Sequence, residues 1–273
     1  MNLQEKANNL RKDILTMVYA AQSGHPGGSL SVIDILTTIY FGEGKNGKFL
    51  NYDSKNPQLE NRDYCIVSKG HASPAVYATL AEAGFFNKDE FFSFRQVNSK
   101  LQGHPTKKVP GIEVSGGSLG QGLSVANGIA MGKPEQKVYC ILGDGELQEG
   151  QVWEAAMSSA HYKLKNLVAF VDRNTLQIDG RTEDVMSVGD VRKKFKSFGW
   201  DTLEINGHNF EEITEALNTA LKSSENPTAI IAHTKKGHGI SFMEDQAGWH
   251  GKAPNDEQLE RALAQNPETL GDY

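Results

Sequence analysis

Apolar residues recur at Leu3, Ala7, Leu10, Ile14 and Met17, at spacings of four and three. That is one face of a helix, and it predicts an amphipathic helix at the start of the chain. A loop follows at Ser23-Gly24-His25-Pro26-Gly27-Gly28. Ser29 then stands where it can cap a second helix running through Ile33, Leu36 and Ile39 toward Gly42. Five short runs rich in apolar and β-branched residues predict buried strands: Tyr64-Ser68, Lys137-Leu142, Leu167-Asp172, Thr202-Ile205 and Thr228-Ala232. Helical patterns over Val152-Tyr162, Val191-Phe198 and Phe210-Ser223 separate most of them. Alternation of this kind implies an α/β fold, with right-handed crossovers and a mostly parallel sheet covered by helices on both faces. In such folds ligands bind beyond the carboxyl ends of the strands. The stretch Gly42-Asn61 has little periodicity and reads as a long surface excursion. With no internal repeat, low-complexity tract or linker, residues 1–273 read as one domain.

Composition narrows the function classes. At 38% apolar and 23% charged residues the chain is an ordinary globular protein, and a net charge of −6 argues against nucleic-acid binding by clustered cations. The run Arg192-Lys193-Lys194 is too short to change that and reads as a solvated helix face. Cys65 and Cys140 lie inside apolar runs, as buried free thiols do, and two cysteines make no disulfide scaffold. The charged N-terminus has no apolar signal stretch and no segment approaches a membrane span, so the expected location is the cytoplasm.

Candidate chemistry falls at the predicted strand ends. The second run ends in Gly143-Asp144-Gly145 and the third in Asp172-Arg173-Asn174. Asp144 and Asn174 are thirty positions apart, about one strand-helix-strand crossover, so their side chains can meet at neighbouring strand ends. Hard oxygen ligands there suit Mg²⁺ or Ca²⁺, and Mg²⁺ commonly combines one or two protein groups with substrate phosphates. The glycines let backbone approach an anion, and the following helix presents free N–H groups.

Four histidines occupy Gly/Pro loops or strand ends: Ser23-Gly24-His25-Pro26, Ser68-Lys69-Gly70-His71, Gln102-Gly103-His104-Pro105 and Trp249-His250-Gly251. Loops at strand ends are where sites concentrate, and no pair of these histidines has zinc-type spacing. The segment Gly116-Gly117-Ser118-Leu119-Gly120-Gln121-Gly122 precedes a helical pattern. A dinucleotide loop there is disfavoured, because no strand leads into it and no acidic ribose partner follows.

Taken together and in this order, these segments resemble transketolase over nearly the whole chain, with Ser118 where that family usually has proline. Strand, Gly-Asp-Gly, helix, second strand and Asn resemble the thiamine-diphosphate fingerprint. The resemblance implies that Asp144, Asn174 and the Leu176 carbonyl hold a divalent metal and that the Gly145 N–H meets the diphosphate. It implies that Gly117 and Leu119 set their backbone against the aminopyrimidine ring. His25 and His104 would line the substrate channel, His71 would lie near the diphosphate, and His250 aligns with a diphosphate-side histidine. Glu149 would belong to a network linking two cofactors across a dimer.

The implied reaction moves a two-carbon ketol unit from a ketose phosphate to an aldose phosphate, with the thiazolium ring as electron sink. In the family the glutamate that activates the cofactor, its aromatic platform and the arginines that grip substrate phosphate come from a further domain. The chain is therefore expected to work with a C-terminal subunit carrying the pyrimidine-binding domain, in a heterotetramer. The alternatives are the cofactor-binding subunit of a 2-oxo-acid dehydrogenase and a non-catalytic paralogue that binds a phosphorylated ligand. The Ser-Gly-His-Pro-Gly and Gln-Gly-His-Pro loops favour transketolase over the first. An intact Asp144/Asn174 pair with its histidines weighs against the second.

Overall fold

A computed structural model of the chain describes residues 2–222 and 225–265. The five predicted strands form one wholly parallel sheet. They are β1 (Tyr64–Val67), β2 (Val138–Gly143), β3 (Leu167–Arg173), β4 (Asp201–Asn206) and β5 (Thr228–His233), in the spatial order β1-β2-β3-β5-β4. Residues of β2 and β3 alternate cleanly between two cores. Tyr139, Ile141, Val168 and Phe170 join the larger one, whereas Val138, Cys140, Leu142, Leu167, Ala169 and Val171 join the other. A strand buried on both faces needs no polar side, which is why these runs read as continuously apolar. β4 is one of the two edge strands, and the partial exposure along its length fits that place.

The first face is covered by α1 (Leu3–Ala20), α2 (Pro26–Phe41) and α3 (Ser73–Glu82), with residues of α8 (Phe210–Ala220) and α9 (Asp256–Ala264) joining the same core. The second face carries α4 (Gln121–Gly132), α5 (Gly150–His161) and α7 (Val191–Ser197), while the five-residue α6 (Thr182–Met186) follows a short hairpin after β3. α1 starts at a capping box, in which Asn2 and Glu5 each bond the other's backbone N–H. The predicted helix ending at Ser223 is described over Phe210–Ala220, and Ser223 lies outside the described residues. Cys65 and Cys140 are buried free thiols, and burial pushes the Cys65 thiol up to about 12.

Two expectations need correction. Ser29 does not cap α2, which begins at Pro26 with His25 in the cap position. The Ser29 hydroxyl instead bonds back to the His25 carbonyl at 2.8 Å. Proline's fixed φ and missing N–H suit the first helical position, so it starts the helix earlier than a serine cap would. Nor is Gly42-Asn61 wholly a surface excursion. A two-strand hairpin turns Phe49 and Leu50 inward, where they are 1% and 3% exposed, and Tyr139 and Lys137 bond the Phe49 carbonyl. The two form a lone apolar pair between Lys48 and Asn51, so no periodicity announced them.

Candidate active site

Parallel register sets Gly143 opposite Asp172, so the loops leaving β2 and β3 start side by side. Together with the segments after β1 and β5 they wall a cleft of about 350 Å³ beyond the carboxyl ends of the strands. All eleven residues singled out from the sequence border it: His25, His71, His104, Gly117, Leu119, Asp144, Gly145, Glu149, Asn174, Leu176 and His250. Glu149 is exposed on the rim, in the cap position of α5.

Asp144 is buried, and it is bonded by neutral donors: the Thr175 N–H at 2.7 Å, the Gly145 N–H at 2.9 Å and the Thr182 hydroxyl at 3.4 Å. Burial, then the nearby Asp172 charge, push its carboxyl up to about 6. Asp172 has the opposite fate. Burial pushes it up, but Lys69 and the hydroxyls of Ser31 and Thr234 outweigh that and hold it below the usual range. The two aspartates thus differ in direct partners: Asp172 is paired with an ammonium, whereas the hydrogen bonds to Asp144 come from N–H and O–H dipoles and the Lys69 charge acts on it only at a distance. Asn174 is oriented by donating to Asp172 and Ser31, both at 3.3 Å, while its carbonyl oxygen accepts from the Leu176 N–H at 3.2 Å. Thr175 between them has φ +63°. A β-branched residue in the left-handed region is strained, and such strain collects at functional sites.

The donor set is therefore a carboxylate, an amide oxygen and a peptide carbonyl, all hard oxygens. The Leu176 carbonyl already accepts from a cation, the Lys236 ammonium, at 3.0 Å. These residues fit a hard divalent ion beside a diphosphate.

The histidines arrive from four separate segments and cluster around His25. Its ring centroid lies 5.5 Å from His71, 5.3 Å from His250 and 6.5 Å from His104, and His71 stacks on His250 at 5.1 Å. All four are held below the ordinary histidine range, so the cleft is lined by neutral imidazoles at pH 7. Burial is the first cause in each case. Arg95 adds to it at His25 (about 4) and His104, Lys69 at His71, and Lys236 at His250 (about 3).

Several groups in or beside the cleft escaped the sequence reading. Lys69 and Lys236 are 1% and 2% exposed. Lys69 pairs with Asp172 and bonds the Gly28 carbonyl. Lys236 bonds the Leu176 carbonyl and His250 Nδ1 at 2.8 Å, and burial followed by Lys69 lowers it to about 8. Glu146 ties the glycine loop to the strand end, accepting from the Ser68 hydroxyl, the Gly120 N–H at 2.8 Å and the Gly143 N–H at 3.0 Å. Lys69 stands two positions past the end of β1 and Lys236 three past the end of β5, and nothing in the sequence marks either as buried.

Among the described residues one further cluster has metal-like spacing, Asp34, His208 and His238. Two of its three members are already engaged. Arg11 Nη2 bonds both Asp34 oxygens, at 2.7 and 2.6 Å, and both His208 nitrogens are engaged, by Asp34 and by the Lys235 N–H. No helix of the described residues is long and apolar enough to cross a membrane.

Residues 3–269 match the family model described as transketolase, thiamine diphosphate binding domain. The chain is 42% identical over 274 residues to one of the subunits of apulose-4-phosphate transketolase from Phocaeicola vulgatus, covering 99% of this chain and 95% of that one. It is 37% identical over 270 residues to a 6-deoxy-6-sulfo-D-fructose transketolase subunit from a Clostridium species, covering 97% and 96%. Among solved structures, transketolase from Campylobacter jejuni superposes with a TM-score of 0.90 at 36% identity, covering 98% of this chain and 43% of that one. The chain therefore spans nearly all of the two subunits and under half of the longer enzyme.

Proposed function

The chain belongs to the transketolase family, in its thiamine-diphosphate-binding part, and on that premise we propose that it is the diphosphate-binding subunit of a split transketolase. Residues 1–273 form one such domain, completed by a partner subunit that carries the pyrimidine-binding domain. The observation that carries this reading is the meeting of Asp144, Asn174 and the Leu176 carbonyl with four neutral histidines in one cleft. The reaction is transfer of a two-carbon ketol unit between sugar phosphates. The two subunit relatives are named for different sugars at similar identity, so the particular sugar follows from neither.

When bound, thiamine diphosphate supplies the electron sink that lets the two-carbon unit leave one sugar and join another. The chain's residues do the rest of the work on this side of the cleft. Asp144, Asn174 and the Leu176 carbonyl hold Mg²⁺ or Ca²⁺, which neutralises the diphosphate. The Gly145 N–H, Lys236, His71 and His250 face the same anion, and Gly117 and Leu119 meet the pyrimidine side through backbone. His25 and His104 act on the substrate, His25 orienting its oxygens and His104 also moving protons. Glu149, exposed at the start of α5, links paired sites in an assembly of two copies of this chain and two of its partner. Met131, Met157 and Tyr162, exposed on the α4–α5 side, support that pairing.

The test is reconstitution. The purified chain alone should transfer no ketol units from xylulose 5-phosphate, and addition of the subunit carrying the pyrimidine-binding domain should restore transfer. Light scattering on the active complex should give the mass of two copies of each. Full transfer by the isolated chain would overturn the split-enzyme reading, and an active one-to-one complex would overturn the tetramer.

A further inference from the structure

Arg95 lies in a seat built for it. Its backbone is in the left-handed region at φ +61°, an uncommon state for a non-glycine residue. Its N–H bonds the Leu101 carbonyl at 2.8 Å. The guanidinium packs against Gly103, where an added Cβ would stand 2.8 Å from Nε and from Nη2, so only glycine leaves room for it. The loop carrying Gly103 is fixed in turn, because the Ser73 and Tyr77 hydroxyls bond the Gly103 and Gln102 carbonyls, each at 2.8 Å. From that seat Nη1 donates to the Ser23 hydroxyl at 2.6 Å and Nη2 faces His25 Nδ1 at 3.4 Å. Nε is buried with no hydrogen-bond partner. A strained backbone, a buried unpaired donor and a required glycine all serve to bring one guanidinium to one imidazole edge.

A guanidinium has donors only, so the contact with His25 works in one direction. Nδ1 must offer its lone pair, and the ring proton must sit on Nε2. The opposite ring edge is the one left to the cleft, and its backbone neighbour is Gly251, where an added Cβ would lie 3.6 Å from Nε2.

We propose that Arg95 is a positioning residue that fixes His25 as the Nε2–H tautomer, so that His25 meets the substrate as a neutral hydrogen-bond donor. This rests on the reading of His25 as a substrate-channel residue. A neutral imidazole N–H can polarise a substrate carbonyl or hold a hydroxyl oxygen, but in this state it takes no proton. Proton transfer then falls to other groups, His104 among them. The titratable groups facing the ring are Arg95, Lys236 and the histidines His71, His104 and His250, and of these Arg95, His104 and Lys236 oppose a positive charge on it.

Long-range ¹H–¹⁵N correlation spectra of the ¹⁵N-histidine-labelled full chain read the tautomer directly. The expected wild-type spectrum at pH 7 has His25 protonated at Nε2 and bare at Nδ1. Arg95→Met, which removes donor and charge without relieving the backbone, should yield a tautomer mixture and a His25 titration at higher pH. Arg95→Lys should keep the Nε2–H form. In the reconstituted enzyme Arg95→Met should lower transfer in proportion to the His25 that leaves the Nε2–H form, about a few-fold at pH 7, and add an acid limb to the pH profile that Arg95→Lys lacks. Resonances of His161 and His208, which do not line the cleft, report folding of the variants. An Nδ1–H or imidazolium His25 in the wild-type spectrum overturns the proposal without any variant. So does an Arg95→Met chain with unchanged tautomer and pH profile. Absence of ketol transfer in the wild-type complex would instead refute the functional reading, and the spectrum would still decide the tautomer.

Discussion

Two carboxylates in this fold sit in similar company and end in opposite states. Asp34 and Asp144 are both buried, and each lies beside groups that could hold a metal. Around Asp34 the protein supplies its own counter-charge. Arg11 grips both oxygens and His208 donates to one of them. Burial pushes the carboxyl up, but these partners outweigh it and hold the acid below its usual range. Around Asp144 the direct partners are peptide N–H groups and a hydroxyl, and burial, with the Asp172 charge, outweighs the more distant Lys69 and raises the acid to about 6. A cluster closed by an internal cation is a structural element. A cluster whose anion is left undercompensated at the wall of a cleft is prepared for a cation from outside. Metal-like spacing alone ranks the two the wrong way round.

The largest effect separating them should be on stability. Asp34→Ala leaves Arg11 charged, 2% exposed and unpaired, and removing one partner of a buried pair costs about 3–5 kcal/mol. Asp144→Ala removes a carboxylate whose ionised form burial disfavours but strands the Thr175 and Gly145 N–H groups, so its loss should be smaller, at most about 1–3 kcal/mol. Urea unfolding of both variants checks this. Equal losses would erase the distinction.

A smaller effect should appear with pH. The four cleft histidines have folded values below 6.5, at about 4 for His25 and about 3 for His250. Between roughly pH 6.5 and 4 the unfolded chain binds more protons than the folded one, so stability is fully present above that window and falls as pH falls through it. Asp34, an acid with a lowered value, keeps its contribution until the pH drops below the ordinary carboxylate range. His238, lowered to about 4 beside the closed cluster, adds to the slope. The cleft's share is what disappears when His25, His71, His104 and His250 are replaced by Gln. Urea midpoints from pH 7 to 5 should show a slope that this variant flattens, and an unchanged slope would mean the cleft histidines are not held neutral.

The same comparison explains what the sequence revealed. The five strands, the parallel sheet and the strand-end motifs were legible because each is local: an apolar run, a glycine pair, a spacing of one crossover. The convergence of His25, His71, His104 and His250 was legible only through their motifs, since nothing in four distant loops states that the rings will lie within 5–7 Å of His25 or of one another. The counter-charges were not legible. Lys69 stands inside Ser68-Lys69-Gly70-His71 and Lys236 in a run of two lysines, yet their burial and their bonds to Asp172 and the Leu176 carbonyl arise from tertiary placement. Arg95 is one arginine in a polar loop until Gly103 and Ser23 close around it. Start signals also compete, as at α2, where Pro26 overrode Ser29.

The central claim is that Asp144 is left without a matching cation in order to receive one with thiamine diphosphate. Calorimetric titration of thiamine diphosphate into the reconstituted complex, with and without Mg²⁺, tests it most directly when wild type and Asp144→Ala are compared. The account predicts tight binding by wild type only when Mg²⁺ is present. For Asp144→Ala it predicts affinity weaker by more than about 10²-fold, beyond what loss of a group merely supporting a metal ligand costs, in a chain that still unfolds cooperatively in urea. Equal affinity of the two proteins in Mg²⁺, or wild-type binding indifferent to the metal, would contradict it.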